Sequence, residues 1–420
     1  MTRLPLVLLL PFLTSAADWP NWRGPEHDGL SPEAIPAELP AALPVRWTAQ
    51  VGIGFGGVSV VGERVLVSGN RTLSGAETDT VWCLSAETGE VLWRHSFPCA
   101  LDPLYYEGGP GATPTAHEGS VYVLSKKGHA LRLDLHDGRV VWSRDLVAEH
   151  GVALPEWSFA SSPFIDGERV LLNVGRGGIA LDKETGRTLW LPSTETSGYA
   201  TVVPYEAGGP GANRLLLSAK GLLAFDAATG EAAWELPWRS SRDVNAADPL
   251  VIGKGILVSS STGSVLIEPG SGGEPAKVWE QRDMKWYFNP GVLVDGHVYS
   301  LHGTTHRPTE LMCLDASTGR IVWSEPGSIS GPNWLKAPTA SNNHPVMTTS
   351  PHIRPVLAET GLFLFNSRAW LRFPQLCRTD RGAWLMPDAR FPDNFPNAVN
   401  SEMSRPVGVL EECRAPTHAQ

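Results

Sequence analysis

Paired cysteines are missing from this chain. Its 420 residues include five cysteines, none adjacent to another and none in a C-x-x-C arrangement. This distribution excludes a dithiol redox motif and a C-x-x-C metal site, and an odd count leaves at least one thiol outside any disulfide pattern. Cys83 and Cys313 occupy equivalent places in two copies of a repeat described below. We interpret both as residues of core strands.

Long apolar segments and excess positive charge are also absent. The apolar run at residues 4–13 is too short to span a bilayer. Arg3 precedes it and small residues follow it, which predicts a signal peptide at residues 1–17. No cysteine stands directly after that site, where a bacterial lipoprotein carries its lipid-attachment cysteine. We therefore expect an exported protein, periplasmic or extracellular, with neither a lipid anchor nor a transmembrane segment after cleavage. The net charge of −10 argues against nucleic acid or anionic lipid as partner.

Extended helical periodicity is absent, whereas a short repeat is frequent. Five segments share the pattern Asp/Ser-x-x-Thr/Asp-Gly-x-x-x-Trp, and a sixth, irregular copy runs from Glu268 to Trp279. Successive tryptophans are 44 to 49 residues apart, a period typical of solenoids and propellers. The residues that we assign to the structural repeat are Gly89, Gly138, Gly186, Gly230 and Gly319, with Trp93, Trp142, Trp190, Trp234, Trp279 and Trp323.

Each repeat predicts several short antiparallel strands. Runs rich in Val and Leu, such as residues 169–174, alternate with Gly and Asp turns. In the Asp-x-x-Thr-Gly turn, polar side chains bond nearby amides and Gly accepts a positive φ. The Trp in the next strand would cover the seam between sheets and bury about 150–250 Å². We therefore predict an all-β fold, a β-propeller of four-stranded antiparallel blades, with six blades clear in the sequence and seven or eight in total.

The repeat is missing after Trp323. The last 97 residues contain 12 of the 35 prolines but only 5 of the 43 glycines, and proline cannot donate within a central strand. We predict a leader segment at residues 18–44, the propeller at 45–335 and an irregular tail at 336–420. The tail is interpreted as degenerate blades, as a separate appendage, or as the product of a reading-frame slip near residues 336–345.

Two copies of the repeat resemble those of a known family. Residues 180–190 and 224–234 both read Ala-x-Asp-x-x-Thr-Gly-x-x-x-Trp, like the tryptophan-docking repeats of quinoprotein dehydrogenases. The chain thus resembles the PQQ-like β-propeller repeat family, which also includes the noncatalytic BamB-type outer-membrane assembly lipoproteins. Its leader, Asp-Trp-Pro-Asn-Trp-Arg-Gly-Pro at residues 18–25, is similar to that of exported members from planctomycete-like bacteria.

The predicted blade junctions carry polar residues where a ligand in the central channel would bind. Thr113, Ser162, Asp248 and Asn289 each precede proline. Oxygen atoms of Asp248 and Asn289 are suitable ligands for calcium, but proline by itself also accounts for an extended start to each inner strand. Trp157 lies outside the repeat register, and it is interpreted either as a stacking platform at the channel mouth or as a ring buried between loops.

The resemblance implies two functions, and we favour a noncatalytic exported propeller that serves as a binding or assembly scaffold. Its partner would be a protein or an envelope component, bound by edge pairing or through loops around the channel, with no cofactor. The alternative is an oxidoreductase of alcohols or sugars that uses PQQ and calcium. The family's alcohol dehydrogenases cover the quinone with a disulfide between adjacent cysteines, which this chain lacks. A sugar-binding module, resting on exposed Trp157 and Trp286, is a third reading.

Overall fold

The computed structural model of the chain describes residues 18–31, 47, 49–104, 106–206, 211, 213–270, 275–303 and 310–326, and the backbone of five short strands between residues 354 and 385. Six sheets dominate the described residues. Each has four antiparallel strands that neighbour one another in chain order, so each is a simple meander. We number these sheets as blades 1 to 6.

The first three blades contain strands β1 to β12. These are β1 (Ser59–Val61), β2 (Arg64–Leu73), β3 (Ala76–Ser85), β4 (Val91–Pro98), β5 (Thr115–His117), β6 (Ser120–Leu124), β7 (His129–Asp134), β8 (Val140–Asp145), β9 (Phe164–Asp166), β10 (Arg169–Leu172), β11 (Ile179–Asp182) and β12 (Thr188–Trp190).

The next three blades contain strands β13 to β24. These are β13 (Val203–Pro204), β14 (Arg214–Leu217), β15 (Gly221–Phe225), β16 (Ala232–Pro237), β17 (Leu250–Ile252), β18 (Gly255–Ser260), β19 (Gly263–Pro269), β20 (Pro275–Gln281), β21 (Val292–Val294), β22 (His297–His302), β23 (Glu310–Asp315) and β24 (Ile321–Pro326).

Little other regular structure interrupts the sheets. A short helix α1 (Leu146–His150) leaves blade 2, with the Asp145 side chain accepting a hydrogen bond from the Ala148 amide at its N-terminus. Beyond blade 6, β25 (Arg354–Ala358), β26 (Gly361–Asn366) and β27 (Ala369–Arg372) form a three-stranded sheet, and β28 (Cys377–Arg378) pairs with β29 (Trp384–Leu385). The signal peptide prediction and most of the predicted tail lie outside the described residues.

The repeat motif forms the turn between the third and fourth strands of a blade. In blade 3 the Asp182 carboxylate accepts hydrogen bonds from the amide and hydroxyl of Thr185, at 2.8 and 2.7 Å. Gly186 follows with φ +70°, in the left-handed region that glycine adopts without strain. The chain then returns as β12, which ends at Trp190.

The repeat tryptophan docks on the next blade rather than on its own. The Trp142 ring of blade 2 lies over Gly186 of blade 3, so closely that a Cβ atom on Gly186 would be 2.7 Å from Trp142 Cδ2. The Trp142 indole Nε1 donates to the Lys183 carbonyl in the same turn, at 3.0 Å. Equivalent ring and glycine pairs are Trp47 with Gly89, Trp93 with Gly138, Trp190 with Gly230, and Trp279 with Gly319.

The seam between blades 4 and 5 differs from these. Trp234 of blade 4 is 9% exposed, as buried as Trp279, yet its indole nitrogen has no hydrogen-bond partner among the described residues. Blade 5 carries the irregular copy of the repeat, which has no Asp-x-x-Thr-Gly turn to receive the ring. Hydrophobic contacts across this seam remain, because Trp234 clusters with Ile256 and Ile267 of blade 5.

The predicted all-β propeller of four-stranded antiparallel blades is confirmed. Its apolar core lies between neighbouring blades, as in the cluster that joins Tyr122 and Trp142 of blade 2 to Ile179 of blade 3. Cys83 and Cys313 are fully buried in β3 and β23, as the sequence indicated. The total of seven or eight blades stays a prediction, as do the segment boundaries.

Candidate functional site

A chain of hydrogen bonds links successive blades just before their innermost strands. The residue two positions before each of these strands donates its backbone amide to the side-chain oxygen of the equivalent residue in the next blade. Gly57 donates to Thr113 Oγ1 at 2.8 Å, and Thr113 donates to Ser162 Oγ at 2.9 Å. Ser162 donates to Thr201 Oγ1 at 3.1 Å, and Thr201 donates to Asp248 Oδ1 at 2.7 Å. We call these five residues the junction ring.

Three of the residues predicted from X-Pro pairs thus belong to the junction ring. Thr113, Ser162 and Asp248 are each at most 3% exposed and hold neighbouring blades together. Thr201 was missed because valine rather than proline follows it; its position two residues before β13 was the available signal. Asn289 is 9% exposed and lies three residues before β21, one position away from the ring register.

The leader, residues 18–31, lies along the innermost strands and so occupies the channel. Trp19 pairs with Val60 of β1 through two backbone hydrogen bonds of 2.8 Å. The next residue, Pro20, accepts a hydrogen bond from the Ala116 amide of β5 at 2.7 Å. Since β1 and β5 are the innermost strands of blades 1 and 2, the leader adds to the channel wall there.

The same leader also reaches blades 3, 5 and 6. The Trp22 indole donates a short hydrogen bond to Asp248 Oδ2 before blade 5. The Arg23 guanidinium donates to the Gly291 carbonyl before blade 6, at 3.0 Å. The His27 ring lies 4.6 Å from that of Phe164 in blade 3. A segment of only 14 residues therefore contacts five of the six blades.

Burial of the leader shifts the pKa of two of its basic groups. Arg23 is 8% exposed; burial lowers the pKa of its guanidinium, and the carboxylates of Asp248 and Asp28 oppose that shift. Burial also lowers the pKa of His27 to about 4, with further contributions from the charges of Arg23 and Arg214. His27 is therefore neutral in the channel at neutral pH.

Asp248, one of the two residues proposed for calcium, does not fit that ion in this channel. Both carboxylate oxygens of Asp248 accept hydrogen bonds from the protein, one from the Thr201 amide and one from the Trp22 indole. The buried cation of Arg23 acts on the same carboxylate, so a divalent ion there would face a positive charge at low dielectric. Within the described ranges, no three His, Cys, Asp or Glu side chains are grouped as metal ligands.

Several aromatic side chains lie in the loops that connect one blade to the next. The Phe55 ring contacts that of Tyr106 with centroids 5.1 Å apart, and Trp157 meets Tyr199 edge-on at 6.3 Å. The third pair consists of Tyr287 and its neighbour Phe288, at 4.4 Å. We call these six residues the aromatic mouth: Phe55, Tyr106, Trp157, Tyr199, Tyr287 and Phe288.

The loops of the aromatic mouth converge on one another. Arg242, before blade 5, donates to the Glu156 carboxylate before blade 3, at 3.0 Å. Burial raises the pKa of the Tyr199 phenol to about 12, and Tyr106 and Tyr287 lie near enough to contribute to that shift. The three phenols belong to three different blade junctions, so loops from separate blades contribute to the aromatic mouth.

Sequence reasoning found one of these six residues. Trp157 is half-buried, and its backbone amide donates to the Tyr199 hydroxyl at 3.3 Å. It therefore packs against a neighbouring loop, and its role as a stacking platform stays a prediction. Trp286, expected as an exposed aromatic, is fully buried in the cluster of blades 5 and 6. That expectation was wrong because the ring packs against Gly291, at the start of β21.

The propeller part of the chain matches a known family and its curated members. The model of the family described as outer membrane protein assembly factor BamB matches residues 44–155 and 111–325. A protein of that name from Alkalilimnicola ehrlichii is 27% identical over 146 residues, which are 34% of this chain and 35% of that protein. Another from Salmonella typhimurium is 25% identical over 122 residues, 28% of each chain. The matches thus span about a third of the length of these curated relatives.

Solved structures support the fold. A europium-containing methanol dehydrogenase superposes with a TM-score of 0.58 over 84% of this chain and 82% of its own, at 14% sequence identity. At that identity the similarity concerns the propeller architecture alone. No helix among the described residues has the length and apolar character needed to cross a membrane.

Proposed function

We propose a binding role on one premise: the chain belongs to the family described as outer membrane protein assembly factor BamB. In this proposal it is a noncatalytic β-propeller, exported to the periplasm or the extracellular space, that acts as a scaffold for another protein. The relatives are named as assembly factors. In this proposal the chain resembles them in binding a protein partner, and it is not assigned to a particular complex.

The supporting observation is the outer edge of blades 1 and 2. Val91 and Leu92 of β4 are 52% and 49% exposed, and Val140 and Val141 of β8 are 37% and 41% exposed. These residues are the two positions that precede the docking Trp in each blade. Adjacent blades therefore present four large apolar side chains on neighbouring edge strands.

An edge strand with exposed apolar side chains is suited to pairing with another strand. The outer backbone groups of β4 and β8 are not paired with any strand of the described residues, and an extended peptide can complete such an edge while its side chains cover the apolar ones. In the equivalent positions, blades 3 and 5 each expose one large apolar side chain, Leu189 at 37% and Val278 at 48%, and blade 4 has Ala232 and Ala233. We infer that a partner segment binds to blades 1 and 2 rather than around the whole rim.

Cross-linking tests this proposal. A photoreactive phenylalanine derivative placed at Val91 should cross-link to one protein in envelope extract, and the same derivative at Ala232 should not. Leu92→Lys should abolish the adduct, whereas Ala233→Lys introduces the same charge on blade 4 and should leave it intact. Equal adducts at both positions, or none at Val91, would contradict edge pairing on blades 1 and 2.

The alternative of a quinoprotein oxidoreductase has only the fold in its favour. The Asp248 carboxylate is engaged by Thr201 and Trp22, and for this reason we derive no reaction step through a metal or quinone. The alternative is tested by adding PQQ and Ca²⁺ to the purified protein. A quinone absorbance that survives desalting, together with dye reduction by alcohols or glucose, would establish an enzyme in place of the scaffold.

A further inference from the structure

The leader carries a histidine at the place where it packs against blade 3. The His27 ring lies 4.6 Å from the Phe164 ring of β9, and the same segment bonds to β1 and β5 through its backbone. We propose that acid releases the leader from the channel while the blades stay folded, with His27 as the group that responds. This release concerns the channel and is independent of the protein-binding edge of blades 1 and 2.

Two guanidinium groups lie close to the His27 ring. On the leader, Arg23 Nε donates to the His27 carbonyl at 3.0 Å. On β14, the Arg214 guanidinium lies 5.5 Å from the centre of the Phe164 ring, on which His27 packs. Arg23 and Phe164 are both buried. A proton on His27 would therefore add a third cation to a cluster that is largely shielded from water, where like charges repel strongly.

The carboxylates around this cluster are already bound by other donors. Asp166 of β9 pairs with an arginine of β14, and Asp28 accepts from a leader amide at 2.8 Å. Both oxygens of Asp248 accept from N–H groups of the protein. Glu26, which precedes His27 in the chain, is exposed. A protonated His27 would thus have to take a carboxylate from its present partner or remain without one.

The pKa of His27 agrees with this arrangement. Burial and then the charges of Arg23 and Arg214 lower it from 6.5 to about 4, against a hydrogen bond to the Trp22 backbone. A leader that has left the channel regains the ordinary pKa, because the ring is in water again. Above pH 6.5 both forms are neutral at His27 and the docked leader is favoured. As the pH falls from 6.5 towards 4, the released form binds the proton more readily, so acid favours release.

The backbone of the docked leader is strained, whereas the seams between blades do not involve it. Arg23 and His27 have φ values of +68° and +57°, in the left-handed region that is costly for residues other than glycine. Release relieves both conformations. The docking of tryptophan on glycine, as in Trp142 on Gly186, is made between blades alone. The leader can therefore leave without breaking a seam.

Release would expose groups that the leader covers. Val60 of β1 would lose both backbone hydrogen bonds to Trp19, and the Ala116 amide of β5 would lose the Pro20 carbonyl. One oxygen of Asp248 would lose its indole donor. Acid would thus uncover the inner edges of blades 1 and 2 and a carboxylate before blade 5.

Hydrogen exchange of the full chain at pH 7 and pH 4 tests the proposal. Protection is expressed relative to the exchange rate of an unstructured peptide at the same pH, so the pH dependence of the exchange chemistry cancels. From the two pKa values of His27, the protection of a peptide covering residues 18–31 should fall about a hundredfold between pH 7 and pH 4. It should recover on return to pH 7. At pH 4 the leader should be at least tenfold less protected than β6 and β7, because release is local.

Variants assign the response to His27. His27→Phe keeps a ring beside Phe164 but binds no proton, so the protection of its leader should fall less than tenfold over the same interval. His136→Phe is the matched control, because His136 is exposed at a turn of blade 2, and its leader should behave like that of the wild type. Should His27→Phe fail to fold, His27→Leu and the wild-type profile decide.

Three results would overturn the proposal: unchanged leader protection in the wild type, equal loss of protection in the leader and in β6 and β7, or a fall in His27→Phe as large as in the wild type. None of them bears on the cross-link at Val91. Failure of acid release and failure of the protein-binding edge are therefore distinguishable.

Discussion

The seams between blades and the central channel are both packed with tryptophan, but they are built differently. At the seam between blades 2 and 3, Trp142 lies on Gly186, and its indole donates to the backbone carbonyl of Lys183. In the channel, the Trp22 indole donates to the Asp248 carboxylate, 226 residues away in the sequence. The seam repeats a local motif around the propeller, whereas the channel depends on a single non-repeated segment.

This difference shows how the propeller divides its stabilising contacts. We expect the loss of one seam contact to leave the other seams intact, because each docking tryptophan contacts only the next blade. The leader has no second copy, and it contacts five blades at once. Changes in the leader or the junction ring should therefore affect the whole channel, whereas changes at a seam should affect two blades.

The largest expected effect is a glycine substitution at a regular seam. Gly186→Ala would place a Cβ atom 2.7 Å from Trp142 Cδ2 and would strain a backbone with φ +70°. We expect the free energy of unfolding to fall by about 2–4 kcal/mol, measured by urea denaturation. Gly167→Ala is the control, because Gly167 also has a positive φ but no atom within 4 Å of the added Cβ. Equal losses in the two variants would refute close docking at the seam.

Between pH 7 and pH 4, stability should depend on a titrating group in the channel, His27. The pKa of His27 is about 4 in the folded protein and 6.5 in the reference state. Between these values the unfolded chain binds a proton that the folded chain does not. The free energy of unfolding is therefore unaffected by His27 above pH 6.5, and it decreases as the pH falls from 6.5 towards 4.

The size of that dependence is about 3 kcal/mol at most, from the difference between the two pKa values. Urea denaturation between pH 7 and pH 4 measures it. His27→Phe keeps a ring beside Phe164 but removes the titrating group, so its stability should fall less over the same interval. Parallel curves for the two proteins would show that His27 is not buried in the channel.

Asp248→Asn tests the junction ring together with the leader. Each Asp248 oxygen accepts from an N–H donor, so an amide nitrogen in one of these places would face another donor. We expect a loss of about 1–3 kcal/mol, measured by thermal unfolding. Asp137→Asn, at an exposed turn where Asp137 accepts from the Arg139 amide, should cost much less. Equal costs would mean that the buried contacts of Asp248 contribute little.

The smallest effect sharpens the contrast between regular and irregular seams. Trp142 and Trp234 are 8% and 9% exposed, so conversion of either to Phe removes a similar buried area. Among the described residues, Trp142 has a hydrogen-bond partner to lose and Trp234 has none. Trp142→Phe should therefore destabilise the protein by about 1 kcal/mol more than Trp234→Phe, as measured by urea denaturation. A larger cost at Trp234 would contradict this reading of the seam between blades 4 and 5.

The seams were largely predictable from sequence because their motif is local and repeated. Asp182, Thr185 and Gly186 lie within five residues, and their turn chemistry identifies the blade before any long-range contact is known. The docking of Trp142 on the next blade follows from the same repeat once the blades are placed in order.

The channel was predictable only in part. The proline that follows Thr113, Ser162 and Asp248 marked these residues as special positions. Their hydrogen bonds run between blades, however, so no local sequence pattern distinguished the junction ring from a metal site. The leader stood out by its similarity to that of exported family members, yet the pairing of Trp22 with Asp248 spans most of the propeller. The aromatic mouth escaped notice because Phe55, Tyr106 and Tyr287 lie in loops of unrelated sequence.

Hydrogen exchange of the leader tests most directly whether the channel is closed by residues 18–31. The Trp19 amide bonds to Val60, and the Pro20 carbonyl accepts from Ala116. We therefore expect a peptide covering residues 18–31 to take up deuterium as slowly as peptides covering β1 and β5. Complete exchange of the leader within seconds, with β1 and β5 still protected, would contradict a leader bound in the channel.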